Sequence, residues 1–384
     1  MTVVVNAVAA KMGGAATYIR ELVRELARQP GTDRFVFYVP LEQAEAGRAV
    51  PAHIEWRVSR VGHAGALRRL WWDQVTLRRI LRRERADVLY STANFAMFRC
   101  PLPQLLLVRN SLYVSNLYRH LFLPRQSTRA RLAFALRRWW LRRSLRHATH
   151  LLAPSQALRD ELTHAWPGLT PHLSVNPYGV AAPAYPSPSR AAGAFFKMAY
   201  PSLYAEHKNL ATVLRALRLL VESGDTDFQF WTTANPNWPP ARITSTWQDD
   251  LVLAGHEALR ERVRFVSPEG PDPLRQLYAG CSLVLYPTLV ESFGHGLLET
   301  LQAGLPVLAA DTPVNRELAG EAALYFEGLN SADLAEKIRL LWRDPGRRTA
   351  MANGGPTRAR GFRWEAHVQR LRAIAARSCE QRSS

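Results

Sequence analysis

From residue 195 onward the chain alternates short, β-rich apolar runs with helical runs, and this alternation restricts the fold more than any other feature. The strand candidates are residues 195–199, 228–232, 263–266, 283–286, 307–310 and 323–326. Helical patterns separate them. Asn209 stands where a cap for 210–221 is needed, Asp272-Pro273 opens 274–279, and Ser331 opens 334–341. Strand and helix in this rhythm predict an α/β domain on a doubly wound parallel sheet.

The first half begins in the same way. A β-rich run at 3–9 leads through Lys11-Met12 to Gly13-Gly14, and Tyr18, Ile19, Leu22, Val23 and Leu26 then recur on one helical face. Gly13-Gly14 suits either an anion at a helix N-terminus or a plain tight turn. Further strand candidates are 35–39, 87–91, 104–108 (leading to Arg109-Asn110), 151–155 and 173–175. Residues 181–193 are rich in Pro, Ala and Ser and read as a linker. The expected division is 1–180, the linker 181–193, a second domain 194–361, and a closing segment 362–384 whose helix starts at Trp364 after a loop at Gly354-Gly355.

The chain has 384 residues, enough for two cores, and carries 50 Lys+Arg against 32 Asp+Glu, a formal charge of +18. That excess favours an anionic partner. Two helical runs hold much of it. Residues 67–83 set Leu67, Leu70, Trp71, Leu77, Ile80 and Leu81 against six arginines, and residues 129–146 place Trp139 and Trp140 among arginine doublets. Such helices fit a core-facing element with a solvated back, or an anionic membrane surface that takes the rings and holds the cations. The arginines do not form a groove-reading motif, so nucleic acid is not the expected partner, although a basic nucleic-acid-binding protein is an alternative reading. Three scattered cysteines offer no metal spacing and suit a reducing compartment. No apolar run reaches the roughly 20 residues of a membrane span. The expected location is cytoplasmic, peripheral on the inner face of the cytoplasmic membrane.

Residues 287–326 carry the chemistry. Glu291 and Glu299 bracket a loop containing Gly294 and Gly296, and Gly304 closes the helix that this loop opens. Two glycines leave backbone amides at a helix start open to a phosphate, and Glu299 in the first turn suits vicinal hydroxyls such as a ribose. A carboxylate pair also fits glycoside hydrolysis, in which both groups flank a bare glycosidic bond. The structural alternative is that Glu299 satisfies the helix N-terminus and Glu291 is a solvated loop residue.

These residues, with Phe293-Gly294 and Ala303-Gly304-Leu305-Pro306-Val307, resemble the C-terminal signature of the retaining, GT-B-fold glycosyltransferases of family four. The resemblance extends to Phe326, Phe362-Arg363-Trp364, Ala153-Pro154-Ser155, Gly179-Val180 and Gly13-Gly14, and so covers the whole chain. It implies an α/β GT-B architecture, two Rossmann-like doubly wound domains facing a cleft, with the last helix crossing back to the first domain. It implies hexosyl transfer, with retention, from a nucleoside-diphosphate sugar to an acceptor hydroxyl. The sequence shows no metal-ligand cluster, so metal-independent transfer is expected, and the basic, Trp-bearing first domain suggests a glycan or lipid-linked acceptor, as in cell-surface polysaccharide or glycolipid synthesis. No cofactor is implied; the nucleotide sugar is a substrate. By position, Glu299 would hold the ribose and Glu291 the donor sugar. Gly294, His295, Gly296 and Leu297 would contact diphosphate or sugar, Lys208 and His207 would face the diphosphate, and Gly13-Gly14 would approach the donor.

Two departures from the family pattern bear on the mechanism. The arginine usually found about six residues before the diphosphate lysine is absent, since Tyr200-Pro201-Ser202 stand there. Arg109-Asn110 occupy the place of a frequent histidine near the donor sugar and acceptor, and are the remaining catalytic candidates beside Lys208 and Glu291. Asp225-Thr226-Asp227 spells a metal-binding pattern of the other glycosyltransferase fold, but in a turn composition. An epimerase acting on a nucleotide sugar within the same fold is a further alternative.

Overall fold

The computed structural model describes residues 1–29, 31–45, 50–180, 195–238, 244–267 and 273–383. They form two compact units. Met1–Val114, Leu132–Gly179 and Phe362–Ser384 make the first, and Ser115–Arg131 with Val180–Gly361 make the second. The short segment Ser115–Arg131 therefore packs with the second unit, although its sequence neighbours belong to the first. The linker 181–193 and Asp272 lie outside the described residues.

Each unit is an open, all-parallel sheet with helical segments in most of the connections between strands; residues 92–103 of the first unit connect two strands without one. The first has β1 (Thr2–Asn6), β2 (Arg34–Val39), β3 (Ile54–Val58), β4 (Val88–Ser91), β5 (Gln104–Leu107), β6 (His150–Ala153) and β7 (Leu173–Val175), in the order β3-β2-β1-β4-β5-β6-β7. The second has β8 (Phe196–Tyr200), β9 (Phe228–Thr232), β10 (Val263–Phe265), β11 (Leu283–Tyr286), β12 (Val307–Ala310) and β13 (Leu324–Phe326), in the order β10-β9-β8-β11-β12-β13. The chain reverses its direction of travel across the sheet between β1 and β4, and again between β8 and β11. Loops leaving two such strands diverge and open a crevice at their carboxyl ends, where ligands of this architecture bind. Both sheets lie where the alternation of strand and helix predicts them, and each unit is Rossmann-like.

Local departures have physical causes. The β-run expected to reach residue 9 stops at Asn6, because Ala7–Lys11 turn back through amide contacts between near neighbours. β3 was not anticipated: it is an edge strand, paired only with β2, and its outer residues are polar or exposed. Gly354-Gly355 lie inside a helix, Pro345–Ala359, rather than a loop. Gly355 lets that helix approach its neighbour, since an added Cβ would stand 2.7 Å from the Leu301 carbonyl oxygen. Asn330, not Ser331, caps the helix Ser331–Arg343, accepting from the Ala332 and Asp333 amides at 3.1 and 3.0 Å. The last helix, Trp364–Ser383, packs on the first unit against the helix Gly13–Arg28.

Candidate functional site

Two strands flanking the reversal in the second unit deliver the site. β8 ends at Tyr200 and leads to Lys208, while β11 ends at Tyr286 and leads to Glu291. Lys208 Nζ and Glu291 Oε1 form an ion pair between side chains that are each about one-fifth exposed. Burial pulls the Lys208 ammonium down, but Glu291 and Tyr200 together hold it above its ordinary value, so it stays cationic. The Tyr200 hydroxyl donates to the Lys208 carbonyl at 2.8 Å, and the Tyr286 hydroxyl donates to Glu291 Oε1 at 3.4 Å. Burial pushes the Tyr286 phenol far up, and the nearby Glu291 and Glu299 carboxylates push it further, which keeps it a donor.

The two loops are laced together. The Leu289 amide donates to the His207 carbonyl at 3.0 Å. Asn209 does not cap its helix through its side chain. It adopts a left-handed backbone (φ 61°) and sends its amide nitrogen to the carbonyls of Pro287 and Gly328, at 3.2 and 2.6 Å. Asn209 thereby fixes the Lys208 loop against the Glu291 loop. His207 is pulled down to about 3 by burial and by Lys208 beside it, so its ring is neutral at physiological pH. Tyr118, from the inserted segment, meets that ring edge-on at 6.2 Å, and Gln126 of the same segment hydrogen-bonds Glu206.

Gly294 (φ 89°) turns the chain into the helix His295–Gln302. The Tyr286 ring underlies this turn: an added Cβ would lie 3.2 Å from its hydroxyl at Gly294 and 3.7 Å from its ring at Gly296. Gly296 is partly exposed and Leu297 is buried. Glu299 lies in the second turn of the helix, not the first as expected, although helical side chains lean back towards the N-terminus. The structure therefore brings Lys208, His207, Glu291, Gly294, His295, Gly296, Leu297 and Glu299 to one carboxyl edge.

Arg109, Asn110, Gly13 and Gly14 belong to the first unit. Asn94 Oδ1 accepts from both the Arg109 and Asn110 amides, at 2.8 and 3.0 Å, and so shapes the turn after β5. Asn110 Oδ1 accepts from the Leu112 amide at 3.1 Å, and the Arg109 guanidinium lies 5.6 Å from the centre of the Tyr18 ring. Gly13 (φ 59°) starts the helix Gly13–Arg28, where Gly14 is exposed. Asp225 is held by Arg339 Nε at 2.6 Å and Arg343 at 3.5 Å, so its carboxylate is engaged in a structural pair. Among the described residues, no cluster of three or more His, Cys, Asp or Glu side chains has a metal-binding arrangement.

Tyr200 and Tyr286 escaped the sequence reading. Their signal was positional: each is the last residue of a strand and immediately precedes a proline, Pro201 or Pro287. An X-Pro step keeps the chain extended as it leaves the sheet.

Two doubly wound units with a charged site at the reversal of one of them define a Rossmann-type, two-domain ligand-binding protein. Comparison with known proteins narrows the class. The family model described as Glycosyl transferases group 1 matches residues 191–358, and that of Glycosyltransferase Family 4 matches residues 12–182. The chain belongs to the group 1 glycosyltransferases of GT-B fold. D-inositol 3-phosphate glycosyltransferase of Rhodococcus jostii is 35% identical over 117 residues, which are 30% of this chain and 26% of that protein. The same-named protein of Salinispora tropica is 36% identical over 126 residues, 32% of this chain and 26% of its own length. The matched part thus spans about a quarter of these relatives. Among solved structures, sucrose-phosphate synthase of Thermosynechococcus elongatus aligns over 98% of both chains with TM-score 0.75 and 15% identity. Anabaena HepE in complex with UDP aligns over 98% of this chain and 100% of that one, with TM-score 0.72 and 17% identity. Likenesses at such identity concern the fold.

Proposed function

We propose that this protein is a retaining, metal-independent glycosyltransferase that moves a hexosyl unit from a nucleoside-diphosphate sugar to a hydroxyl of a glycan or lipid-linked acceptor. The observation that carries the reading is the Lys208–Glu291 pair, held by two strand-end tyrosines beside the helix that Gly294 opens. An anionic diphosphate at that helix start meets the first-turn amides and the Lys208 cation. Glu299 takes the ribose hydroxyls and Glu291 the donor sugar hydroxyls. Neutral His207 contributes a hydrogen bond and no charge. Arg109 and Asn110 act on the acceptor side, and Gly13-Gly14 give the donor close approach to backbone.

In the reaction, the acceptor oxygen forms a bond to the anomeric carbon on the face from which the diphosphate departs. The carbon–oxygen bond to the diphosphate breaks, its electron pair stays on the phosphate, and the leaving phosphate oxygen takes the acceptor proton. Lys208 and the amides stabilise the charge that grows on the leaving group.

Membrane association is part of the same reading. On the helix Thr128–His147, Leu132, Leu136 and Trp139 are 61%, 60% and 56% exposed and lie along one side. Trp140, by contrast, packs on Phe98 at 4.7 Å. An exposed apolar stripe among arginines fits an anionic bilayer at the cytoplasmic face. No described helix is long and apolar enough to cross a membrane.

A panel of nucleotide sugars tests the donor assignment by thermal stabilisation and then by transfer. UDP-sugars come first, because the HepE structure holds UDP, and D-inositol 3-phosphate serves as one trial acceptor, after the relatives' name. Stabilisation by one donor class, lost in Glu299→Gln, is the expected result. A chain stabilised by no nucleotide sugar overturns the reading.

A further inference from the structure

A cavity of 790 Å³ opens in the first unit between the turn that starts at Ser59 and the helical stretch that begins at Ala66. Its walls include Arg60, His63, Arg68, Trp71, Trp72 and Thr76. The cavity follows from a change of helical pitch. Trp72–Thr76 form a π-helical turn between Ala66–Trp71 and Leu77–Arg83, so the seven-residue apolar pattern slips out of register. Leu77, Ile80 and Leu81 stay in the core, while Leu67 and Trp71 turn outward, 83% and 62% exposed. Trp72 is half-buried against the core, 6.1 Å from the Tyr38 ring.

The cations around the cavity differ in their engagement. Arg69 pairs with Asp73 at 3.0 Å and His63 with Glu42 at 3.1 Å, whereas Arg60 and Arg68 have no carboxylate partner among the described residues. An exposed indole beside two unengaged guanidiniums presents an apolar plane and a fork of donors at one opening. A saturated ring with a C–H face matches the indole, and an anionic substituent matches the guanidiniums bidentately. The volume lies within the roughly 300–1,000 Å³ of small-molecule sites.

The cavity is also tied to the carboxyl end of β1, at the reversal in this sheet. Asn6, the last residue of β1, donates to Asp73 Oδ1 of the π turn at 2.9 Å. Gly62, between the lining residues Val61 and His63, abuts the loop after β1, since an added Cβ would collide with the Val8 carbonyl oxygen. That loop runs on to Gly13-Gly14.

We propose that this cavity is an acceptor subsite and takes a sugar or cyclitol ring carrying a phosphate or carboxylate. The assignment of the bound ring as acceptor rests on the glycosyl-transfer reading above. The test uses the full chain without donor, by calorimetry or ligand-observed NMR, with D-inositol 3-phosphate, glucose 6-phosphate, glucuronate, neutral inositol and inorganic phosphate as probes. The anionic rings bind saturably, and neutral inositol and inorganic phosphate bind at least about tenfold more weakly. Trp71→Ala and Arg60→Gln/Arg68→Gln each weaken ring binding by about tenfold while leaving Tm and stabilisation by nucleotide sugar unchanged. No saturable binding, or binding insensitive to these variants, overturns the proposal. So does phosphate binding as tightly as the rings, which leaves only an anion patch. Loss of binding to phosphatidylglycerol vesicles in the variants, with no soluble ring bound, reassigns the patch to lipid headgroups and overturns it too. Because no donor is present, ring binding is decided even for a chain without transferase activity, and a failed cavity leaves the nucleotide-sugar test with Glu299→Gln intact.

Discussion

Tyr18 donates its hydroxyl hydrogen to Nε2 of His367 at 3.0 Å, and the direction of that bond follows from the groups around it. His367 Nδ1 faces the Pro177 carbonyl at 3.0 Å, which accepts only, so Nδ1 carries the hydrogen and Nε2 must accept. The Tyr18 oxygen is then left to accept from Tyr90 at 2.5 Å. This chain joins the last helix to the helix Gly13–Arg28 and to β4, and it runs in this direction while His367 is neutral.

Burial pulls His367 down to about 4, whereas an unfolded histidine titrates near 6.5. Between those values the unfolded chain binds more protons than the folded one. The stabilisation is therefore complete above about pH 6.5 and is lost as pH falls towards 4, an effect of roughly 3 kcal/mol. His207, at about 3, adds in the same direction. We expect apparent Tm to fall between pH 7 and pH 5. His367→Gln, whose amide can both donate to Pro177 and accept from Tyr18, should lower Tm at pH 7 yet flatten the acid slope. An unchanged slope in scanning calorimetry would refute the assignment.

Lys208→Ala should reduce kcat by about 10²–10³-fold, the scale of losing one preorganised donor to a leaving group. Donor affinity should fall far less. Removing the lysine also leaves Glu291 as an uncompensated carboxylate, so Glu291→Gln added to Lys208→Ala should improve donor binding without restoring turnover. Single-turnover rates and donor titration separate the two effects.

The two loop glycines should behave oppositely. Gly294→Ala forces a left-handed backbone on a residue with a Cβ, at about 1–2 kcal/mol, and presses on Tyr286 and Leu318, so Tm should drop. At Gly296 a methyl finds ordinary contacts, and alanine is the better helix former by about 1 kcal/mol. Gly296→Ala should hold or raise Tm while its methyl crowds the first-turn amides and abolishes thermal stabilisation by the nucleotide sugar.

Cosedimentation with phosphatidylglycerol vesicles should be salt-sensitive, because each arginine near an anionic leaflet contributes about 1 kcal/mol. Leu132→Ser/Leu136→Ser/Trp139→Ser should cut the bound fraction several-fold without a change in Tm, since all three side chains already face solvent. Equal binding to phosphatidylcholine vesicles would contradict the charge-based part of the reading.

Much of the fold was legible because its signals are local. Residues 228–232, 283–286 and 307–310 match their strands to the residue: the first alternates buried and half-buried side chains, and the other two are apolar runs whose four residues are all buried. β3 was missed because an edge strand buries one side and reads as mixed polarity. The basic helix of residues 67–83 looked like one continuous apolar face; a π turn leaves no mark in composition but rotates two of its apolar residues to solvent.

The chain's order of residues established the alternating α/β plan, the bracket from Glu291 to Glu299 and the family resemblance, because each rests on spacing along a few turns of backbone. Folding in three dimensions settled what spacing cannot carry. Lys208 meets Glu291 across 83 positions of sequence only because β8 and β11 are neighbours at the reversal of the sheet. Tyr200 and Tyr286 become positioning groups for the same reason, and Ser115–Arg131 joins the second unit by packing rather than by sequence order. Contacts of that kind depend on which strands lie side by side, and strand order is set by the packing of the whole sheet.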